Sequence, residues 1–110
     1  MEAFVKGDVV IVPFPFSDLS SSKRRPALVI ANLPGEDIIL CQVTSKLLKD
    51  EFSISLLEGD FITGSLKQDS NIRPNRIFTA SKSIIRYKAG SVNLGKLSEV
   101  RNKIVSLLDQ

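Results

Sequence analysis

The sequence contains no histidine, and Cys41 is its only cysteine. Without histidine there is no Ser-His-Asp triad, no histidine pair for general acid/base work and no Cys/His zinc site. A lone cysteine excludes an intramolecular disulfide and matches a reducing compartment. Long apolar runs are missing too. No stretch approaches the roughly 18 apolar residues of a membrane span, and Asp8 and Pro13 interrupt the first apolar run before it can form a leader. These absences predict a cytoplasmic protein made without a leader, with no membrane partner, no bound metal and no cofactor.

What remains is 110 residues, 43% hydrophobic and 25% charged, the profile of one ordinary domain spanning 1–110. A core of that size folds without staples. The charge is unevenly spread. Residues 1–60 carry 6 basic and 9 acidic side chains, a net of −3, whereas residues 61–110 carry 9 basic and 3 acidic, a net of +6. Such asymmetry can present a basic face to a polyanion, although on charge alone an uneven solvated surface is the commoner explanation.

Hydrophobic patterning predicts several short strands and one helix. Val9–Val12 is a β-branched run entered by Gly7-Asp8 and ended at Pro13, where ladder pairing must weaken or lie at an edge. Ala27–Ala31 and Ile38–Val43 follow, joined by a hairpin over 32–37; their near-continuous apolar character implies burial on both faces. Ser53–Leu56 alternates, and Glu58-Gly59-Asp60 reads as a turn. Leu66–Ile72 and Ile77–Ala80 read as strands separated by Pro74-Asn75. Between the first two strands, Ser17–Arg25 reads as a polar loop. The period then changes. Leu97, Val100, Ile104 and Leu108 define one helical face, with Ser98 as the expected cap and Glu99 in the first turn. The whole predicts a mainly β fold with a C-terminal α-helix, arranged as a compact antiparallel barrel.

Four segments, in order, carry a resemblance. GDVVIVPFPFSDLSSSKRRPALVIAN at the start, CQVTSK at 41–46, LKQDSNIRPNRIFTASKSII at 66–85 and the terminal helix together resemble the MazF/PemK family of toxin endoribonucleases. The resemblance implies an SH3-like small β-barrel that forms a homodimer. It also implies metal-independent cleavage of single-stranded RNA by attack of the 2′-OH, and neutralisation by a cognate antitoxin.

The family pattern implies that Arg25, the arginine of the Arg-Pro step, and Thr44, at the end of the third strand, are catalytic. The chemistry of the two residues fits. A guanidinium is permanently charged and matches phosphate bidentately, and a hydroxyl can bond phosphate or the 2′-oxygen. Without the resemblance, Arg25 reads more simply as a surface arginine at a strand entrance, and Thr44 as a strand-ending threonine bonded to backbone. Lys23, Arg24, Ser45, Ser70, Arg76 and Lys82 are expected to contact RNA; Arg76 and Lys82 read equally well as solvated surface. Phe14 and Phe16 are either base-stacking residues or core. Cys41 reads as a buried strand residue. No carboxylate stands out by position as a general base.

Two departures from the family bear on activity. The first loop, SDLSSSKR, lacks the family's Ser-Glu-Gln element, so base preference cannot be carried over. The segment 88–98 reads as a long connection to the last helix. Two other functions fit parts of the sequence: a catalytically weak barrel that binds nucleic acid or protein, and a CcdB-like inhibitor of a topoisomerase. The Arg24–Pro26 motif together with Thr44 favours the nuclease.

Overall fold

The structure, a computed structural model, describes residues 3–14, 23–46 and 50–110, with the side chains of Phe14 and Lys23 excepted. Phe16, the proposed loop at 17–22 and the rest of the first-loop departure lie outside the described residues.

Seven strands form one antiparallel sheet: β1 (Asp8–Phe14), β2 (Lys23–Asn32), β3 (Asp37–Thr44), β4 (Ile54–Leu56), β5 (Phe61–Gly64), β6 (Ser70–Ser81) and β7 (Tyr87–Val92). Their order across the sheet is β4-β6-β3-β2-β1-β7-β5. A C-terminal helix, α1 (Leu94–Leu108), follows. The sheet curls into a half-barrel, in keeping with the mainly β, SH3-like architecture expected from the sequence.

Strands β1, β2 and β3 occupy the middle, and their apolar runs are buried on both faces, as expected of β2 and β3. Val9, Leu28, Cys41 and Val43 join one core cluster with Ile54, Leu56, Ile72, Val92 and Val100 of α1. Val10, Val12, Ala27, Val29, Ile38 and Leu40 form a second cluster on the other face, packed by Phe4, Phe78 and Ile84 among others. Alternation along each strand therefore assigns every side chain in β1–β3 to a known face.

The Gly7-Asp8 step anchors the start of β1. Gly7 sits at φ +98°, a conformation that glycine adopts without steric cost. Asp8 is buried; its carboxylate accepts from the Val5 N–H at 3.0 Å and from the Ser91 hydroxyl at 2.7 Å. Pairing of β1 with β7 stops at Ile11–Tyr87, so Pro13 falls where β1 has lost one neighbour.

Six expectations need correction. The helix begins at Leu94, four residues before Ser98. Asn93 caps it by accepting the Lys96 N–H at 2.7 Å, so Ser98 lies inside the helix and exposed. Leu108 is 79% exposed and leaves the apolar face. Pro74 does not divide two strands. β6 runs through it, and a register shift opposite Cys41–Val43 absorbs the extra residues. The Cys41 thiol donates to the Arg73 carbonyl in that irregular stretch at 2.8 Å, and burial pushes the thiol pKa up to about 12. Residues 66–69 are not strand, and the supposed long connection at 88–98 is most of β7 followed by the first turn of α1. Lys23–Arg25, read as loop, open β2.

Lys96 secures α1 to the open side of the sheet. It is a buried lysine whose Nζ donates to the Ser55 carbonyl of edge strand β4 at 2.8 Å. It also pairs with Glu99 at 3.1 Å and Asp60 at 3.6 Å. The edge carbonyl thereby gains a partner that a neighbouring strand would otherwise supply.

Candidate active site

The candidate residues gather where β1 and β3 end and β2 and β6 begin. The β2–β3 ladder pairs Ala27 with Gln42 and Leu28 with Cys41. Continued by two residues, the same register sets Arg25 across from Thr44. Both belong to the face of the second cluster: Arg25 has the parity of Ala27 and Val29, and Thr44 that of Ile38 and Leu40. Arg25 also pairs with Val12 of that face. Pro26 has no N–H to donate, and the β2–β3 ladder ends one residue beyond it, at Ala27. Arg25 and Thr44 thus lie just past the closed ladder, on strands free to diverge.

Their environments suit a polar site. Arg25 is half-buried, and Thr44 is buried at 6% exposure. The Lys46 N–H donates to Thr44 Oγ1 at 3.2 Å, fixing the hydroxyl as an acceptor on one side. Its own proton is then directed away from that bond and available to an incoming oxygen. Asn71 pairs with Thr44 across β3–β6, and its Nδ2 donates to the Lys46 carbonyl at 3.1 Å. Ser45, between Thr44 and Lys46 in the chain, is exposed. Asp50 Oδ1 accepts the Ser53 and Phe52 N–H groups at 2.8 and 3.1 Å, and Arg73 Nη2 lies 3.6 Å from Oδ2. The Ser53 N–H, then that of Phe52, and the Arg73 charge hold the Asp50 carboxyl below its ordinary value, against a smaller opposing effect of desolvation.

Arg24 points the other way. It is exposed and, with Ile11 and Pro26, lines a groove of about 490 Å³ on the face of the first cluster. Ser65, Leu66, Lys67 and Gln68 form one wall, with Ser70 beside them; Tyr87, Lys88 and Ala89 form the other. Ser70 is buried at 5% exposure and donates its hydroxyl to the Gln68 carbonyl at 3.0 Å.

The eight predicted residues therefore separate. Arg25 and Thr44 share one side of the strand ends, and Arg24 and Ser70 the other; Ser45 lies exposed just past the end of β3. Lys23 opens β2 on the same rim. Arg76 lies exposed in the irregular part of β6, one position before the Ile77–Cys41 pair. Lys82 does not join the group. It sits beyond the opposite end of β3, where Ser81 pairs with Asp37, and its Nζ donates to the carbonyls of Leu33 at 2.8 Å and Gly35 at 2.6 Å. That lysine closes the β2–β3 hairpin. Lys67, Tyr87 and Lys88 were not anticipated. The cue was the adjacent aromatic-basic pair at 87–88, hidden because the segment read as a connection.

A family model described as PemK-like, MazF-like toxin of type II toxin-antitoxin system matches residues 5–108. The chain belongs to that family. No curated protein matches the sequence. Among solved structures, MazE-MazF from Deinococcus radiodurans superposes with a TM-score of 0.80 at 22% identity, covering 99% of each chain. An endoribonuclease in complex with its cognate antitoxin, from Mycobacterial species, gives 0.76 at 15% identity over 97% of this chain and 96% of that one. Mycobacterium tuberculosis toxin MazF-mt6 gives 0.73 at 12% identity, over 93% and 96%. At these identities the likenesses show a shared fold along nearly the whole chain.

Proposed function

We propose that the protein is the toxin of a type II toxin-antitoxin pair and a sequence-selective endoribonuclease of single-stranded RNA, held inactive by a cognate antitoxin. Family membership supports the toxin role. The solved neighbours titled as endoribonucleases, one of them bound to its antitoxin, support the activity and the partner. The observation that supports the site is the β2–β3 register, whose last pair is Ala27–Gln42 and whose continuation by two residues brings Arg25 opposite Thr44. The reading includes a homodimer and, because mRNA is the substrate, action in the cytoplasm.

The reaction follows from these groups. The substrate's 2′-hydroxyl loses its proton to solvent water and its oxygen attacks phosphorus, the P–O5′ bond breaks, the leaving 5′-oxygen takes a proton from water, and the products are a 2′,3′-cyclic phosphate and a 5′-hydroxyl. Negative charge grows on the non-bridging oxygens as the new bond forms. Arg25 meets that charge with a fixed planar fork. Thr44 donates the hydroxyl proton that its bond from Lys46 leaves available. Ser45, exposed beside Thr44, is within the same turn and contributes a second hydroxyl to the phosphate. Acceleration comes from in-line positioning and charge stabilisation.

The test is incubation of purified protein with mixed RNA in excess EDTA, followed by mapping of cut sites and termini. Cleavage to cyclic-phosphate ends is expected. Dependence on added metal would overturn the mechanism. Arg25→Ala is expected to lower the rate about 10²- to 10³-fold, the usual cost of removing one transition-state donor, with an unchanged circular dichroism spectrum.

A further inference from the structure

The groove on the opposite face from Arg25 and Thr44 has the composition of a nucleotide-binding surface. Its lining includes the cations Arg24 and Lys67 and no carboxylate; Lys88 also lines it, but pairs with Val10 of the opposite face, so its side chain leaves β7 on the other side from Tyr87. Asp69, next in the chain to Gln68, is exposed and outside the lining. Tyr87 lines the groove and is 52% exposed, an aromatic residue left open to solvent on the same face as Ile11. The Ser70 hydroxyl is tied to the Gln68 carbonyl, which shapes the wall. Gln68 can offer both a donor and an acceptor to a base edge. Cations spaced around an aromatic platform are what single-stranded nucleic acid requires, because phosphates need charge and unstacked bases need a ring.

We propose that this groove binds nucleotides flanking the cleaved step, with Tyr87 stacking on one base and Lys67 and Arg24 holding the phosphates on either side. The inference rests on the endoribonuclease reading for its substrate, but the groove lies on the other side of β2 from the reacting residues. Arg24 and Arg25 are consecutive in an extended strand, so their side chains leave it in opposite directions. A strand of RNA crossing the rim at β2 meets Arg25 on one side and Arg24 on the other. Such a subsite adds affinity only to RNA long enough to reach over the rim.

Length dependence is therefore the readout. Fluorescence anisotropy is measured with a nested series of single-stranded RNA oligonucleotides, carrying a 2′-deoxy substitution at the cut step so that binding is read without cleavage. For the longest RNA, Tyr87→Ala is expected to weaken binding by about fivefold or more, the scale of losing one base-aromatic stack. Tyr87→Phe keeps the ring and is expected to restore binding. The shortest RNA is expected to bind Tyr87→Ala and the unaltered protein alike. Equal loss at all lengths, or no loss at any, overturns the proposal. So does loss of binding to an acidic peptide with RNA binding intact, which would reassign the groove to a protein tail. Cleavage of the unsubstituted oligonucleotides is scored separately. Its absence defeats the nuclease reading, while the anisotropy still decides whether the groove binds RNA.

Discussion

Thr44 accepts the Lys46 N–H and still holds a hydroxyl proton, so its backbone bond and its proposed chemistry are compatible. Sequence reasoning had set the two as rivals, a strand-ending threonine bonded to backbone against a catalytic hydroxyl. The structure shows that one atom can serve both, because a hydroxyl is donor and acceptor at once. The discriminating substitutions follow from that. Thr44→Val keeps the shape and removes the oxygen; it is expected to lower cleavage by about 10- to 100-fold, a partial loss of transition-state donation. Thr44→Ser keeps the hydroxyl and is expected to stay within about tenfold of the unaltered protein. Single-turnover cleavage measures both, and equal rates for the two variants would remove the hydroxyl from the mechanism. Arg25 was legible only through the Arg-Pro pair and its family resemblance. Its facing position to Thr44 depends on how β2 and β3 register, which no local pattern prescribes.

At the scale of elements, α1 is held by more than its apolar stripe. Lys96 is buried against a β4 carbonyl and two carboxylates, so Lys96→Met keeps the stem but leaves the Ser55 carbonyl without its partner and Asp60 with only its bond from the Leu57 N–H. Because Asp60 and Glu99 remain partly solvated, the expected loss is about 1–3 kcal/mol rather than the larger cost of breaking a fully buried pair. Urea denaturation should show it as a lowered midpoint with the slope retained; an unchanged midpoint would make the interaction negligible. The strands legible from sequence were those rich in β-branched residues: β1, β2 and β3. The two that were missed, β5 and β7, meet at glycines. A Cβ on Gly90 would lie 2.9 Å from Phe61 Cδ2 and 3.1 Å from Gly64 Cα, and one on Gly64 would lie 2.6 Å from Gly90 Cα. The same small residues that let the strands approach also gave the segment the look of a turn. Leu94 misled differently. It is 77% exposed, so the first turn of α1 lacked the buried apolar residue that marks a helix start, and the cap was sought at Ser98 instead of Asn93.

For the whole molecule, the contrast between a net-negative first half and a net-positive second half acquires a location. Arg24 and Arg25 come from the first half, Lys67 and Lys88 from the second, and the sheet brings them to one rim because β1 lies between β2 and β7. Folding brings basic residues from both halves of the chain to the same strand ends, on both faces of the sheet, a placement that composition alone does not give. Salt should report how many cations take part. Two phosphate contacts give a slope of about −1.4 in log K against log salt for single-stranded RNA, and four give about −2.8. The steeper value is expected, falling by about 1.4 in a Lys67→Ala/Lys88→Ala double variant. A flat response would leave no role for phosphate contacts. No described helix is long and apolar enough to cross a membrane.

Arg24 and Arg25 sit back to back on one strand, and that arrangement limits the stiffness of whatever touches both. To reach both guanidinium groups a ligand must pass around the strand ends from one face of the sheet to the other. A duplex resists bending over so short a distance, because its stacked bases hold it straight. A single strand rotates about each sugar-phosphate bond and passes easily. On the endoribonuclease reading, a preference for unpaired RNA would then need no sensor of base pairing: the way around the strand ends admits only a polymer that can bend.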